Sequence, residues 1–537
     1  MRIDTVYIKQ FKNLKDFQIE LNDQEMKTIL LGQNATGKSN FMEALVLIFK
    51  YLDLEKDIPQ TLELEYRIDY ICRNQNVRAE YLNKKTSFHF WEKTKNEQTL
   101  VIENKATDAI TKTEFYRNKD KYLPKYVFSY YSGVSNRLQD HFNEHQRKFY
   151  NTIKSKNYKN FEIDSLRRLF YVQAVHSHFV LMAYYCFEAQ ESVSIQFLRD
   201  VLGIEELESI LFVLRKPRWN NKEGDKRFFG AEGMVKDFLD KLWDLSVAPI
   251  YHDERIPVDF RSDITQQRLY LYIKDINSLK ELAKHFNSNT EFFKALESTY
   301  ISDLIEEVRV KVKKKFAGRV TFKELSEGEQ QLLTVLGLLK FTKDEESLIL
   351  LDEPDTHLNP IWKWRYLEFL DNVVQNEKNT QIIINTHDPL IIGGLTKEQV
   401  RIFQIDKDGG VCTVEPDIDP KGLGVEGILT GELFGLPTTL DEETQKDLDR
   451  RNELLLLQHK NGLNDIEQNE LNALFNKLED LGFSKTFRDP LYQKFIIAYT
   501  EKLSASSKKS YTKDELDAQN KMAMEILEDL KKAEDSQ

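Results

Sequence analysis

One glycine-rich stretch constrains the fold of this chain more than any other part of the sequence. It fits the pattern G-x-x-x-x-G-K-[ST], with a short apolar strand pattern at residues 27–31 before it and an apolar helix pattern at 41–49 after it. Strand, glycine-rich loop and helix in this order form the phosphate-binding loop of nucleotide-binding proteins. The sequence therefore predicts an α/β fold with a nucleotide site at Gly32, Gln33, Asn34, Ala35, Thr36, Gly37, Lys38, Ser39 and Asn40.

The residue types in this loop predict their own roles. Gly32 and Gly37 let the backbone turn so that its N–H groups face a polyphosphate. The helix that follows adds the positive end of its dipole. Lys38 is expected to reach the β- and γ-phosphates, and the Ser39 hydroxyl is expected to bind Mg²⁺.

Composition narrows the class of protein. The chain has 537 residues, enough for two to four domains, and a net charge of −12, which argues against a protein that binds nucleic acid over its whole surface. A local basic patch is still compatible with that charge. Cys72, Cys186 and Cys412 are too far apart to indicate a disulfide framework. We find neither a signal-peptide pattern nor an apolar run long enough to span a bilayer. We therefore expect a cytoplasmic protein with no membrane partner.

Two further apolar strands end in residues suited to phosphate chemistry. Residues 348–351 lead into Asp352 and Glu353. Burying two adjacent acidic side chains at the end of a strand costs free energy, so such a pair is expected where it has a function. We expect Asp352 to bind Mg²⁺ through water and Glu353 to orient or deprotonate an attacking water. Residues 382–384 lead towards His387, which is either structural or a hydrogen-bond donor to a γ-phosphate.

A fourth motif precedes these strands. Ser326 is a good helix N-cap, and Gly328 permits close approach of another backbone segment. On its own, the segment would be an ordinary capped helix.

In this order the motifs resemble those of the ABC-type ATPases, in particular the RecF/SMC/OLD-like branch, where residues 11–14 also have a counterpart. The resemblance covers roughly residues 1–50 and 320–410. It implies that the cofactors are ATP and Mg²⁺ and that the catalytic residues are Lys38, Glu353 and His387. It also implies that Asp355 is the D-loop aspartate. The family's Q-loop glutamine has no match here with the right spacing, whether Gln139 or Gln146 is considered.

The same resemblance implies a two-fold dimer, with the possibility of a higher oligomer. In such a dimer the signature sequence of one copy completes the ATP site of the other. Here the signature is the segment 326–330, whose Ser326, Gly328 and Glu329 are expected to contact the second copy's nucleotide. ATP would then hold two copies together, and hydrolysis would loosen them.

Four segments follow from these assignments. Residues 1–134 are expected to form the N-terminal lobe of an ABC-type P-loop ATPase head, with an antiparallel β patch. Residues 135–318 are expected to form a mostly helical insertion, 319–415 the C-terminal lobe of the head, and 416–537 a helical extension that docks a partner.

Residues 126–133 and 431–440 resemble, more narrowly, the PtuA-type ATPases of Septu anti-phage systems. That resemblance implies an HNH nuclease partner, and in retron-linked forms a reverse transcriptase with its RNA–DNA product. The chain has no cysteine pairs or histidine-rich cluster for a nuclease site of its own. Residues 440–537 are the candidate docking surface, unless they only pack on the chain's own ATPase.

The basic run 309–315 leaves a second function open. It could contact nucleic-acid phosphates, or it could be the solvated face of a helix. The two candidate functions are therefore a defence ATPase that regulates a partner nuclease and a RecF-like repair or recombination ATPase that binds DNA directly.

Overall fold

A computed structural model describes two compact units, each built from separate stretches of chain. The first unit comprises Met1–Ile391 with Glu398–Glu415, and the second comprises Ile392–Lys397 with Pro416–Gln537. The longer stretch of the second unit begins where the sequence places its helical extension. The described residues are 1–95, 102–133, 135–154, 167–189, 192–217, 219, 223–315, 318–321, 325–340, 345–373, 379–481, 495, 498–499 and 512–535.

The strands lie in the first unit and form three sheets. In chain order they are β1 Arg2–Phe11, β2 Leu14–Glu20, β3 Lys27–Gly32, β4 Glu65–Cys72, β5 Gln75–Leu82, β6 Lys85–Lys95, β7 Ile102–Ile110, β8 Tyr126–Tyr131, β9 Leu169–Tyr171, β10 Ile204–Arg215, β11 Ile250–Asp259, β12 Ser262–Ile273, β13 Ile305–Lys314, β14 Gly318–Thr321, β15 Ser347–Asp352, β16 Thr380–Asn385, β17 Val400–Ile405 and β18 Val411–Val414.

Helices connect and cover these strands, and they make up the second unit. They are α1 Lys38–Leu54, α2 Lys112–Arg117, α3 Lys119–Tyr122, α4 Asn143–Lys154, α5 Val175–Phe187, α6 Val193–Asp200, α7 Gly233–Leu245, α8 Ile276–Ala283, α9 Asn289–Ile301, α10 Glu327–Lys340, α11 Pro360–Trp364, α12 Tyr366–Val373, α13 Pro389–Ile392, α14 Gly424–Thr430, α15 Glu442–Asn461, α16 Asp465–Asp480 and α17 Lys513–Asp535. Among the residues described, no helix is long and apolar enough to cross a membrane.

The central sheet has the order β18-β17-β3-β16-β15-β8-β9, and its strands are parallel except for β18. Every residue of β15 and β16 is buried, as expected for parallel strands covered on both faces. The strand order of the central sheet places the carboxyl ends of β3, β16 and β15 side by side. Ligands of open α/β sheets bind at such carboxyl ends. The predicted α/β fold is confirmed.

The antiparallel β patch is also confirmed, and it is larger than predicted. Its order is β2-β1-β4-β5-β6-β7, so the first two strands of the chain belong to it. Residues on one face of β1 and β4 pack against α1, in a core that contains Ile3, Val6, Ile68 and Phe49. The patch therefore supports the helix that follows the phosphate-binding loop.

The segment 135–318 is helical only in part, because it also supplies the sheet β11-β12-β10-β13-β14 up to Gly318. The helical interpretation of the basic run is wrong. Val308, Val310 and Val312 are buried, while Arg309, Lys311 and Lys313 alternate with them and are exposed. A period of two residues is typical of a strand, so the alternation itself carried the correct prediction.

The second unit contains α14 to α17. Helix α16 begins with a capping box in which the Asn464 side chain and Glu467 bind each other's backbone N–H groups. Leu471 and Leu478 of this helix are buried. Residues 482–494 and 500–511 of the predicted extension lie outside the described part of the chain.

Candidate nucleotide site

The loop between β3 and α1 has the backbone that its glycines predict. Gly32 has a φ of 136° and Gly37 a φ of 100°, a region that side chains disfavour. A Cβ on Gly32 would lie 2.3 Å from the carbonyl oxygen of Phe403, and one on Gly37 would lie 2.8 Å from the Leu14 side chain. Neither position has space for a side chain, so both glycines are required by geometry.

Lys38 lies folded over its own loop. Its Nζ donates hydrogen bonds to the carbonyl oxygens of Gly32 at 2.7 Å and Gln33 at 2.9 Å. Burial lowers the pKa of Lys38 to about 8, although the nearby charges of Asp352 and Glu353 oppose this shift. An incoming phosphate would offer the ammonium group stronger acceptors than the two carbonyl oxygens.

Ser39, Asp352 and Asn385 meet where three strands end. Ser39 Oγ lies 3.3 Å from Asp352 Oδ1, and Asn385 Nδ2 donates to both Asp352 Oδ1 and Ser39 Oγ. Asp352 and Asn385 are opposite each other in the register of β15 and β16. The strand pairing therefore brings the Asp352 carboxylate and the Ser39 hydroxyl, the two predicted metal ligands, next to each other.

These atoms fit a magnesium ion. The Asp352 side chain is buried, and its Oδ2 has no hydrogen-bond partner among the described residues. Burial raises the pKa of Asp352, while the hydrogen bonds from Asn385 and Ser39 lower it. A buried carboxylate oxygen without a partner, beside a serine hydroxyl, provides the oxygen ligands that Mg²⁺ prefers.

Glu353 and His387 form a second pair beside this position. Glu353 has a φ of 52°, and its N–H donates to the Asn385 carbonyl at 2.8 Å. His387 Nε2 lies 3.4 Å from Glu353 Oε1, and both side chains are partly exposed. Burial and the charge of Lys38 lower the pKa of His387, which favours a neutral ring. A neutral ring can donate one hydrogen bond to an anion.

The signature segment forms a capped helix start. The Ser326 N–H donates to Glu329 Oε2 at 2.8 Å, and the Glu329 N–H donates to Ser326 Oγ at 3.2 Å. Glu329 also binds Lys314. A Cβ on Gly328 would lie 2.4 Å from the His357 carbonyl oxygen, so α10 packs closely against the loop after β15. These contacts give the segment a structural role within the chain; its contact with a second copy stays a prediction.

Asp355 lies in the interior of its own unit. It is 5% exposed, and Oδ1 has no hydrogen-bond partner among the described residues. Burial raises the pKa of Asp355 to about 6, while a hydrogen bond from Thr386 opposes the shift. Of the two glutamines considered for the Q-loop, Gln139 lies in a short turn of 3-10 helix, whereas Gln146 lies in α4.

Two asparagines that sequence reasoning did not assign also shape the site. Asn385 joins Ser39 to Asp352, as described above. Asn13 Nδ2 donates to the Ala35 carbonyl at 3.1 Å, and its Oδ1 accepts from Asn40 Nδ2 at 2.7 Å. The available signals were that Asn385 immediately follows an apolar strand and that Asn13 belongs to the 11–14 motif.

The remaining loop residues surround these contacts. Thr36 is buried, and its Oγ1 donates to the Gln33 carbonyl at 2.8 Å. Gln33, Asn34 and Ala35 are exposed at the top of the loop. The side chains of the loop base are therefore held from within, and its tip faces outward.

Sequence comparisons find known ATPases that are similar to this chain. Residues 231–393, less than a third of the chain, match the family described as "AAA domain, putative AbiEii toxin, Type IV TA system". The chain is 22% identical over 453 residues to the retron Vc95 probable ATPase of Vibrio cholerae serotype O1 biovar El Tor, covering 77% of this chain and 75% of that protein. It is 28% identical over 160 residues to Septu protein PtuA of Bacillus mycoides (strain KBAB4), covering 28% of this chain and 22% of that protein.

Among solved structures, an SMC head bound to the C-winged helix domain of ScpA matches with a TM-score of 0.33 and 13% identity, covering 78% of this chain and 98% of that chain. The sequence matches confirm the resemblance to PtuA-type ATPases that the motifs predict. The phosphate-binding loop lies outside the match to residues 231–393, so the loop is identified by its own sequence and geometry.

Proposed function

We propose that this chain, which is similar to PtuA-type ATPases, binds ATP with Mg²⁺ at the Gly32–Ser39 loop and hydrolyses it to ADP and phosphate. The observation that carries the proposal is the meeting of Ser39, Asp352 and Asn385 at the ends of adjacent parallel strands. Ordinary structural turns do not place a buried carboxylate against the serine of a phosphate-binding loop.

Each side chain has a separate role in the proposed reaction. Ser39 and Asp352 would hold Mg²⁺, which when bound would supply positive charge that stabilises the phosphate oxygens. Glu353 takes a proton from a water molecule whose oxygen attacks the γ-phosphorus. The bond from that phosphorus to the bridging oxygen breaks, and its electron pair leaves with ADP. His387 donates a hydrogen bond to the γ-phosphate as charge develops there.

Two substitutions test this proposal. Lys38→Ala is expected to abolish measurable ATP binding, because the loop loses its ammonium group. Glu353→Gln is expected to retain binding and lower the rate of hydrolysis by about 100- to 10,000-fold.

Nucleotide affinity is measured by equilibrium titration, and Lys446→Ala serves as a control because Lys446 is 71% exposed on α15. Normal ATP affinity in Lys38→Ala would overturn the assignment of the loop.

We further propose that the ATPase regulates an HNH nuclease partner in anti-phage defence. The similarity to Septu PtuA and to a retron ATPase supports this role, and in a retron-linked system a reverse transcriptase and its RNA–DNA product would control the nuclease. Co-purification with a candidate HNH nuclease tests the partnership. Unchanged co-purification after truncation at about residue 440 would refute docking through the C-terminal helices.

One observation favours the alternative, a RecF-like ATPase that binds DNA directly. Arg309, Lys311 and Lys313 share the exposed face of β13. However, Arg309 pairs with Glu307 at 2.9 Å and Lys313 with Glu205 at 3.6 Å, which partly neutralises that face. Tight DNA binding with a steep salt dependence, lost when Lys311 and Lys313 are changed to glutamate, would support the alternative.

A further inference from the structure

Arg137 lies beside the ring of Tyr131, the residue opposite Asp352 in the central sheet, and has no assigned role. It follows β8, which pairs in parallel with β15, so that Tyr131 lies opposite Asp352. The Ser132 N–H then donates to the Asp352 carbonyl at 3.3 Å. The chain therefore leaves β8 at the edge of the sheet where the proposed metal ligand lies, and Arg137 is six positions beyond Tyr131.

The guanidinium group of Arg137 is only loosely engaged. Its Cζ lies 5.8 Å from the centre of the Tyr131 ring, and its Nε lies 4.0 Å from Glu43 Oε2. That carboxylate is already bound by Lys12 at 2.5 Å and by His141 at 3.0 Å. Lys12 and His141 therefore each contact one oxygen of Glu43 more closely than Arg137 does, and Arg137 lies at the margin of this group.

Two nitrogens of the same guanidinium are buried without a hydrogen-bond partner among the described residues, namely Nε and Nη2. Arginine stays protonated in proteins, so these donors cannot be neutralised by losing a proton. Buried charged donors without an acceptor are unfavourable. An anion bound beside Asp352 would provide acceptors for these donors and so stabilise the position.

We propose that Arg137 binds the terminal phosphate of a nucleoside triphosphate held by the Gly32–Ser39 loop. The inference rests on the proposed function. A planar guanidinium can donate two parallel hydrogen bonds to phosphate oxygens. In the nucleotide-free protein Arg137 stays against Tyr131, and it turns to the phosphate when the loop is filled.

Equilibrium binding of Mg-ATP and Mg-ADP to the full chain tests this proposal. Arg137→Ala is expected to weaken ATP binding by about 10- to 100-fold, the usual effect of losing hydrogen bonds to a charged group, and ADP binding by less than about threefold. Arg137→Lys is expected to restore part of the ATP affinity, because it keeps the charge without the planar fork. Arg147→Ala is the matched control, since Arg147 is exposed on α4, and it should change neither affinity.

Thermal unfolding without nucleotide separates a binding role from a structural one. Arg137→Ala should not unfold at a lower temperature than the wild type, because the loose contacts with Tyr131 and Glu43 are lost together with two buried donors that have no hydrogen-bond partner among the described residues. Equal losses of ATP and ADP affinity with a lower unfolding temperature would overturn the proposal, as would unchanged ATP affinity. If the wild-type protein binds ATP through Lys38 but Arg137→Ala binds it equally well, this inference alone fails. If the wild-type protein binds no ATP, the proposed function itself fails.

Discussion

At the scale of single residues, Asp355 shows how a candidate functional side chain can lower stability. It is 5% exposed, one of its oxygens has no hydrogen-bond partner among the described residues, and burial raises its pKa to about 6. A shift of this size corresponds to about 3 kcal/mol in favour of the protonated folded form. At neutral pH the folded chain must hold this carboxyl ionised, at a cost in stability.

Asp355→Asn is therefore expected to raise stability near neutral pH, by up to about 3 kcal/mol. The folded pKa lies above the unfolded one, so the contribution of Asp355 to wild-type stability falls as pH rises from about 4 to about 6 and is then constant. The asparagine amide of the variant has no titrating group. The stability advantage of Asp355→Asn over the wild type should therefore grow as pH rises from about 4 to about 6. Denaturant unfolding at about pH 4 and about pH 7.5 measures the difference. An advantage that is the same at both pH values would contradict this account.

Asn13 contacts the loop from a neighbouring segment of the chain. Its side chain binds the Ala35 carbonyl and accepts from Asn40, which fixes the tip of the loop to the start of α1. Asn13→Ala should weaken ATP binding roughly fivefold, the equivalent of about 1 kcal/mol. Equilibrium titration measures the change. Asn22→Ala is the control, since Asn22 makes a comparable local hydrogen bond, to the Gln24 N–H, away from the loop. Equal effects of both substitutions would refute the specific role.

At the scale of elements, a glycine inside α10 sets how closely this helix approaches α5. A Cβ on Gly337 would lie 2.1 Å from Val180 Cγ1, and Tyr184 Oη donates to the Gly337 carbonyl at 3.3 Å. Glycine within a helix costs about 1 kcal/mol relative to alanine. The close packing of the two helices outweighs that cost.

Gly337→Ala should therefore destabilise the chain by about 1–3 kcal/mol, because overpacking exceeds the gain in helix propensity. Adding Val180→Ala makes space for the new methyl group and should recover part of the loss. Denaturant unfolding of the two single variants and the double variant measures the coupling. Gly394→Ala is the control, because a Cβ there meets nothing within 4 Å. Strictly additive effects would show that this contact is not responsible.

At the scale of the whole molecule, Glu353→Gln should accumulate the ATP-bound state. If the signature of one copy completes the site of another, that state is a dimer. Light scattering with ATP should then report twice the mass of the chain, and Lys38→Ala should stay monomeric. A monomeric Glu353→Gln protein in saturating ATP would contradict the two-copy site. The start of α10 supports such an arrangement, because Ser326 is exposed there.

The sequence by itself determined which residue types the candidate site contains. The spacing of Gly32, Gly37, Lys38 and Ser39 is local, and so is the step from an apolar strand into Asp352 and Glu353. Local patterns fix which backbone a short stretch adopts and which of its faces is buried. The loop, the α/β class and the antiparallel patch were predictable for this reason. The alternation of buried and exposed residues in β13 is also a local pattern. It indicates a strand, and the helical interpretation of this run was wrong.

Only the tertiary structure decided which of these stretches are neighbours. The pairing of β3, β15 and β16 brings together residues more than three hundred positions apart, such as Ser39 and Asp352, which are 313 positions apart. Periodicity does not record which strand pairs with which. The role of Asn385 and the burial of Asp355 depend on that pairing or on packing between distant segments. So do the two Arg137 nitrogens that have no hydrogen-bond partner in the described part of the chain. None of them could follow from local sequence alone.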